Sequence, residues 1–379
     1  MPVYCMDYQP AVAQGAGIGR YTRDLARAVA AALSPAEELR LFYCDFHRRM
    51  RDAGVEGARS RAFRALPGAL LQKAWTRLGA PAFDRFSGRA DVFHFTNFVA
   101  RPVRSGKTVL TVHDMSFERF PQFAEERNRA YLHANVRRSA GEADVVLADS
   151  EFSRREIEDL VPEARGKVRT ALLGISPDFS PAGAGQVESV RAKLGLERPF
   201  VLTVGTVEPR KNLPFLVDVW EKLAPEGLDL VVSGAPGWRC EPIFARFAEA
   251  EKKFPGRFRW IRRAPDGDLR ALYSAAALFA VTSHYEGFGF PPLEAMACGT
   301  PVVSSSGGSL PEVLGDAACV MDSFDPDAWA GEALRLARLP PDERAALSAR
   351  GRERAALFTW QKCAAATLAA YRECAAVPL

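Results

Sequence analysis

SHYEGFGFPPLEAMACGTPVV, residues 283–303, decides how this 379-residue chain folds. An apolar run, Leu278–Thr282, leads into a loop carrying Glu286, Gly287, Phe288 and Gly289, and Pro301–Ser304 resumes a second apolar run. Pro291 and Pro292 suit the first turn of an intervening helix, where a missing N–H costs nothing, and Gly299 suits its end. Strand, glycine-rich loop, helix and strand in that order predict a parallel βαβ unit. The carboxylates Glu286 and Glu294 stand eight positions apart, one on the loop and one in the helix's first turn. Both therefore lie at the C-terminal end of a parallel strand, where open α/β sheets bind ligands. A carboxylate accepts hydrogen bonds from two neighbouring hydroxyls at once, as a ribose or hexose diol presents them. The glycines let backbone N–H groups approach a sugar or phosphate closely.

Outward from this segment the same alternation runs through the chain. Phe200–Val204, Leu228–Val232 and Phe258–Ile261 read as further strands of the second half. Val3–Asp7, Leu39–Cys44, Val92–Phe95, Thr108–Val112 and Val145–Ala148 read as strands of the first. Arg20–Ala32 and Asn128–Gly141 have helical spacing between them, and the Ala-rich tail Trp360–Val377 reads as a last helix. Leu173–Gly185, rich in Gly, Pro and Ser, reads as a linker. The expected division is 1–178, 179–359 and a terminal helix 360–379.

Three more segments carry chemistry. In VLTVGTVEPRKNL (201–213) a strand ends in Gly205–Thr206, and Arg210 and Lys211 precede a helix beginning near Pro214. Two adjacent cations at a strand-to-helix turn suit a diphosphate, Arg as a bidentate donor and Lys as a point charge. QGAGIGRY (14–21) places Gly15, Gly17 and Gly19 after the first strand, without the G-x-G-x-x-G order of a dinucleotide site. TVLTVHDMSF (108–117) delivers His113 and Asp114 to a strand's C-terminal end, and Asn97 lies at a comparable end. Ser153-x-x-Glu156 reads as a capping box. Asp266-Gly-Asp268 and Asp325-Pro-Asp327 have a metal-site spacing but read as turn or helix-cap sequences.

The 283–303 segment resembles the E-x₇-E signature of retaining GT-B glycosyltransferases of CAZy family four, the glycosyl transferases group 1. The resemblance covers nearly the whole chain. It implies two Rossmann-like domains facing each other across a cleft, with the C-terminal helix crossing back to the first. It implies Glu286 beside the transferred sugar and Glu294 on the nucleotide ribose, with Gly287, Phe288, Gly289 and Phe290 supplying backbone donors. Arg210 and Lys211, with Gly205 and Thr206, match the family's diphosphate turn. Gly17 and Gly19 match its glycine loop, which lies over a phosphate or acceptor. His113 resembles the histidine that sits near sugar and acceptor in bacterial surface-polysaccharide mannosyltransferases, with Asp114 and Asn97 as acceptor-side candidates. Arg262 and Arg263 lie where the family grips the nucleobase. The G-T-V-E-P-R-K-N-L and H-D-M-S-F forms are closest to users of GDP-mannose that build O-antigen or exopolysaccharide. Mannosyl transfer to a lipid-linked or oligosaccharide acceptor is the expectation, without a metal or other cofactor. UDP-glucose, UDP-hexosamine or a GDP- or TDP-deoxysugar stay open as donors. A sucrose- or trehalose-type synthase and a silent sugar-nucleotide-binding scaffold stay open as functions. A nicotinamide-dependent dehydrogenase is disfavoured by the missing fingerprint.

Composition agrees with an enzyme of this size. Hydrophobic residues make up 48% and charged residues 25%, a globular rather than disordered balance. A net charge of +4 does not mark a nucleic-acid binder. Seven scattered cysteines without a C-x-x-C pair argue for reduced thiols in a cytosol, against a disulfide framework or zinc site. No secretory leader or membrane-spanning run is evident. Between Phe46 and Arg89, ten basic residues face only Asp52, Glu56 and Asp84, interleaved with apolar and aromatic ones. This stretch reads as a solvated helix pair, or as a surface that meets an anionic membrane on its inner face.

Overall fold

The computed structural model describes residues 1–15, 17–48, 50, 52–262, 264 and 266–376. The chain folds into two compact units. The first comprises 1–118, 127–174 and 359–379, and the second 119–126 and 175–358.

The first unit holds β1 (Val3–Asp7), β2 (Glu38–Cys44), β3 (Ala58–Phe63), β4 (Val92–Phe95), β5 (Lys107–Val112), β6 (Val145–Ala148) and β7 (Val168–Thr170). Their order is β3-β2-β1-β4-β5-β6-β7, every pairing parallel. The second holds β8 (Phe200–Val204), β9 (Asp229–Ser233), β10 (Phe258–Ile261), β11 (Leu278–Val281), β12 (Val302–Ser305) and β13 (Cys319–Met321). Their order is β10-β9-β8-β11-β12-β13, again parallel throughout. Each sheet is doubly wound, as the alternating pattern predicts. The central strands β4, β6, β11 and β12 are buried along their whole length, because helices cover both faces of a parallel sheet.

The sequence pattern predicts ten of these thirteen strands and misses β3, β7 and β13. All three are sheet edges. An edge strand is half solvated, so it is short or carries charge instead of an apolar run. β3, ARSRAF, shows this plainly, since Arg59 reaches Glu38 at 3.1 Å and Arg61 donates to the Phe86 carbonyl at 2.7 Å. The helix pair expected between Phe46 and Arg89 is therefore β3, one helix (Gly68–Leu78) and a single turn at Asp84–Ser87. Arg49 and Arg51 lie outside the described residues. The capping box is also displaced. Ser150, not Ser153, caps the helix Glu151–Leu160, its hydroxyl accepting the Ser153 N–H at 3.0 Å.

The C-terminal helix Trp360–Ala376 packs within the first unit against the helix Ile18–Ala32. A Cβ on Gly174 would lie 2.2 Å from the Trp360 nitrogen, so only glycine lets the chain pass the start of that helix. Arg372 grips Glu37 with two hydrogen bonds of 2.9 and 2.8 Å, and Arg169 reaches Glu373 at 2.9 Å. Beneath them runs a buried polar chain. Tyr371 Oη meets His94 Nδ1 at 2.7 Å, His94 Nε2 meets Thr111 Oγ1 at 2.8 Å, and Thr111 meets Tyr21 Oη at 2.9 Å.

Burial, with a smaller push from the neighbouring His113, lowers His94 to about 3. A histidine held neutral in the fold supplies stability that is complete above its unfolded value, near 6.5, and is lost as pH falls from there toward 3. Between pH 6.5 and 4.5 the loss amounts to about 2–3 kcal/mol. Thermal unfolding followed from pH 7.5 to 4.5 should show His94→Gln losing less stability than the parent by about this amount. Parallel acid profiles for the two proteins would contradict the neutral assignment.

Candidate active site

The second sheet winds outward from β8 to β10, then returns to β11 on the other side. The gap opened between the exits of β8 and β11 is the topological switch point, where such sheets bind ligands. A pocket lies there, lined by Thr203, Gly205, Lys211, Ser283, Glu286 and Pro291 among others, with about 340 Å³ of empty space continuous with solvent.

After β8 the chain makes a 3₁₀ turn, Pro209–Lys211, and Asn212 in the left-handed region starts the helix Leu213–Leu223. Gly205 has φ +150°, a conformation that residues with a side chain rarely adopt, and the Lys211 side chain lies in van der Waals reach of where a Cβ would stand. The turn out of the strand therefore calls for glycine. After β11, the loop 282–289 reaches the helix Phe290–Ala297. Ser309 fixes this loop, its N–H donating to the Glu286 carbonyl at 2.9 Å and its hydroxyl to the Phe288 carbonyl at 3.0 Å.

These two exits bring Glu286, Arg210 and Lys211 together. Lys211 Nζ donates to Glu286 Oε1 at 2.5 Å, Arg210 Nη1 to Oε2 at 2.8 Å, and Ser283 Oγ to Oε1 at 2.6 Å. Arg210 is also held by Glu208, Nη2 donating to Oε1 at 2.7 Å, and by the Tyr285 carbonyl at 2.5 Å. Burial alone would raise the Glu286 carboxyl, but the charges of Arg210 and Lys211 outweigh it and bring it to about 2. Two cations face two carboxylates, so the set is neutral until an anion enters. A diphosphate arriving here would replace carboxylates as the cations' partner.

Glu294 lies one turn into the helix, buried, accepting the Tyr273 hydroxyl at 2.8 Å. It does not line the Glu286 pocket. Gly287 and Gly289 are buried in the loop. The Phe288 ring packs on Phe290 and Phe358, so its side chain serves the core and only its backbone remains for a ligand. Thr206 is exposed on its turn. Arg262 is exposed after β10, at the sheet's far edge, and joins none of these groups; Arg263 lies outside the described residues. Asp325 caps a helix by accepting the Asp327 N–H at 3.0 Å, and Lys193 pairs with Asp268, as turn and cap sequences should.

In the first unit, His113 follows β5 and is buried. Its Nδ1 meets Asp149 Oδ2 at 2.7 Å and its Nε2 meets the Thr96 carbonyl at 3.0 Å. Burial alone would lower it, but the Asp149 carboxylate more than offsets this and raises it. Both ring nitrogens face oxygen atoms, an arrangement that favours the protonated ring and engages its N–H groups. Asp114 accepts the Ser116 N–H at 2.9 Å. Asn97 sits at the β4 exit, partly buried. Gly17 caps the helix Ile18–Ala32 with φ +56°, and Gly19 lies in its first turn. The sequence pattern does not single out Glu208, Ser283, Tyr273 or Asp149. Each is recognisable only by the partner that folding brings to it.

Comparison with known proteins identifies the family. Residues 186–354 match Glycosyl transferases group 1, and residues 15–179 match Glycosyltransferase Family 4. The O-antigen chain mannosyltransferase B of Escherichia coli is 34% identical over 373 residues, 94% of this chain and 96% of that protein.

The chain belongs to the group 1 glycosyltransferases.

Another relative, the alpha-maltose-1-phosphate synthase of Mycolicibacterium smegmatis, is 33% identical over 71% of this chain and 73% of its own. Among solved structures, sucrose-phosphate synthase from Thermosynechococcus elongatus superposes with a TM-score of 0.76 over 98% of both chains at 23% identity. WaaG, a glycosyltransferase involved in lipopolysaccharide biosynthesis, gives 0.70 over 97% of this chain and 99% of its own at 17%. Both carry the GT-B fold, and two doubly wound parallel sheets are its hallmark.

Proposed function

We propose that this glycosyltransferase moves a mannosyl group from GDP-mannose to a hydroxyl of a lipid-linked or oligosaccharide acceptor in surface-polysaccharide synthesis. The Glu286–Arg210–Lys211 cluster at the β8/β11 switch point carries the reading. Similarity to the O-antigen chain mannosyltransferase B over 94% of the chain supports mannose as the sugar. On binding, the donor diphosphate takes over Arg210 and Lys211 and frees Glu286 to face the sugar. Glu294, steadied by Tyr273, receives the ribose hydroxyls. As the sugar departs, charge accumulates on the nucleoside diphosphate, and the two cations stabilise it most at the transition state. Transfer keeps the anomeric configuration and needs no metal. His113, its protons already engaged, acts by position rather than by exchanging a proton.

The test is transfer of labelled sugar from GDP-mannose, UDP-glucose, UDP-hexosamine and a TDP-deoxysugar, with the product's anomeric configuration read by NMR and chelator present in one arm. The other donors belong in the series because the sequence leaves them open. Inverted product, or dependence on a divalent ion, would defeat the mechanism. Binding of every nucleotide without turnover would favour the scaffold instead.

We further propose that the first unit docks on an anionic membrane surface. Leu66, Leu70 and Leu78, at the start and along the helix Gly68–Leu78, are exposed beside Lys73, Arg77 and Arg64, while Leu71 and Trp75 face the core. No helix among the described residues is long and apolar enough to cross a membrane. Co-sedimentation with anionic vesicles is expected at low salt, weakening at high salt as the Debye length shrinks. Leu70→Glu/Leu78→Glu should abolish it, and equal pelleting of the variant would remove this helix from the account.

A further inference from the structure

Residues 119–126 belong to the second unit, although the chain on both sides of them belongs to the first. A 3₁₀ turn, Pro121–Phe123, forms the middle of this segment. Its partners within the second unit are the loops that leave β9 and β11.

The loop after β9 grips the backbone of the segment. Trp238 Nε1 donates to the Phe123 carbonyl and Arg239 Nη1 to the Gln122 carbonyl, each at 2.7 Å. Arg239 holds φ +50°, a strained backbone that persists only where its surroundings fix it. This loop is itself joined to the turn that leads to Arg210 and Lys211. Val207 N–H donates to the Ala235 carbonyl and Gly237 N–H to the Val207 carbonyl, each at 2.9 Å. A Cβ on Gly237 would lie 2.8 Å from the Val207 oxygen, so glycine permits the approach.

The loop after β11, which carries Glu286, meets the segment through rings. Phe123 stacks on His284, with centroids 4.9 Å apart and planes 14° from parallel, and Phe120 packs on Tyr285 at 5.6 Å. His284 also meets Phe324 at 4.9 Å, and Phe324 meets Phe215 at 5.1 Å, which carries the contact into the core. The His284 N–H donates to the Arg210 carbonyl at 2.9 Å, and Glu286 follows two residues later.

Packing accounts for a segment lying on a unit, but not for where this one is fastened. One anchorage is fixed to the turn of Arg210 and Lys211, and the other lies in the loop of Glu286. Their convergence is what makes the cluster at the switch point. A misplacement of about 1 Å at a reacting centre costs about 10²-fold in rate, so whatever holds these exits together bears on the chemistry.

We propose that residues 119–126 clasp the two sides of the switch point, with Phe123 a positioning residue that sets Glu286 against Arg210 and Lys211 by way of His284. This rests on the glycosyltransferase reading and adds to it the element that fixes the geometry of the site.

Kinetics and NMR on the whole chain decide it. Phe123→Ala should lower kcat by about 10–100-fold and leave donor KM within about threefold, because Glu208 still holds Arg210. Phe123→Tyr keeps a flat ring and should recover most of the loss, whereas Phe123→Leu fills space without one and should recover little. With labelled histidine, the stacked ring should shield the His284 ring protons, and Phe123→Ala should move them downfield. The same variant should raise the His284 pKa toward the usual histidine value, since burial is what lowers it. Trp238→Phe removes the donor to the Phe123 carbonyl at an exposed position and should lower kcat by about threefold. Should Phe123→Ala not fold, Trp238→Phe decides on the same two readouts. A fall in melting temperature with kcat unchanged would make the segment a packing element and overturn the clasp. If the parent transferred sugar from no donor, the proposed activity would fall instead, and His284 signals unmoved by Phe123→Ala would still overturn the clasp.

Discussion

Glu286→Gln is expected to lower sugar transfer by about 10²–10³-fold while nucleoside diphosphate binding is kept or tightened. The two halves of this result come from one geometry. Glu286 neutralises Lys211 and Arg210, at 2.5 and 2.8 Å, and so competes with a diphosphate for them. A glutamine has no charge with which to compete, so GDP should raise the melting temperature of the variant at least as much as that of the parent. The glutamine also lacks the charge proposed to act on the sugar, so the chemical step loses its stabilisation. The free variant should be less stable by roughly 1–3 kcal/mol, since Lys211 is left without its carboxylate in a site only 17% exposed. Transfer near the parental rate would remove Glu286 from the chemistry. Weakened GDP binding would show that the carboxylate organises the cations rather than competing with them.

How much of the molecule is legible in the sequence depends on whether a residue's partner lies nearby in the chain. The βαβ unit around 283–303 is legible because its signals are local. Apolar runs, Gly289, two prolines and Gly299 each constrain their own backbone, and the observed helix Phe290–Ala297 falls between them. Central strands are legible for the same reason, being continuous apolar runs. The edge strand β3 is not, because its arginines find their partners at Glu38 and Phe86, distant in sequence. The site divides along the same line. Arg210 and Lys211 announce a diphosphate turn by adjacency, and the loop glycines announce Glu286. Glu208 is the exception, since its partner Arg210 is two residues away and only burial sets it apart from any acid in a turn. Asp149 sits 36 residues from His113, and only their meeting shows that this histidine is tied into a buried pair.

Glu208 also separates what holds the site together from what the site does. Arg210→Ala is expected to lower turnover by about 10²–10³-fold, through lost stabilisation of the departing diphosphate. It should destabilise the fold as well, because Glu208 is only 3% exposed and would lose the arginine it accepts from. Breaking one side of a buried pair costs about 3–5 kcal/mol. In a unit of this size that corresponds to a fall in melting temperature of roughly 6–20 °C. Adding Glu208→Gln to the same chain should then restore most of the stability, since the orphaned charge is gone, while activity stays at the level of the single variant. Thermal unfolding and steady-state transfer on the parent, both single variants and the double variant close this cycle. Joint recovery of stability and activity would mean that Arg210 serves only to neutralise Glu208. Recovery of stability alone assigns the arginine to the diphosphate and the glutamate to holding it in place.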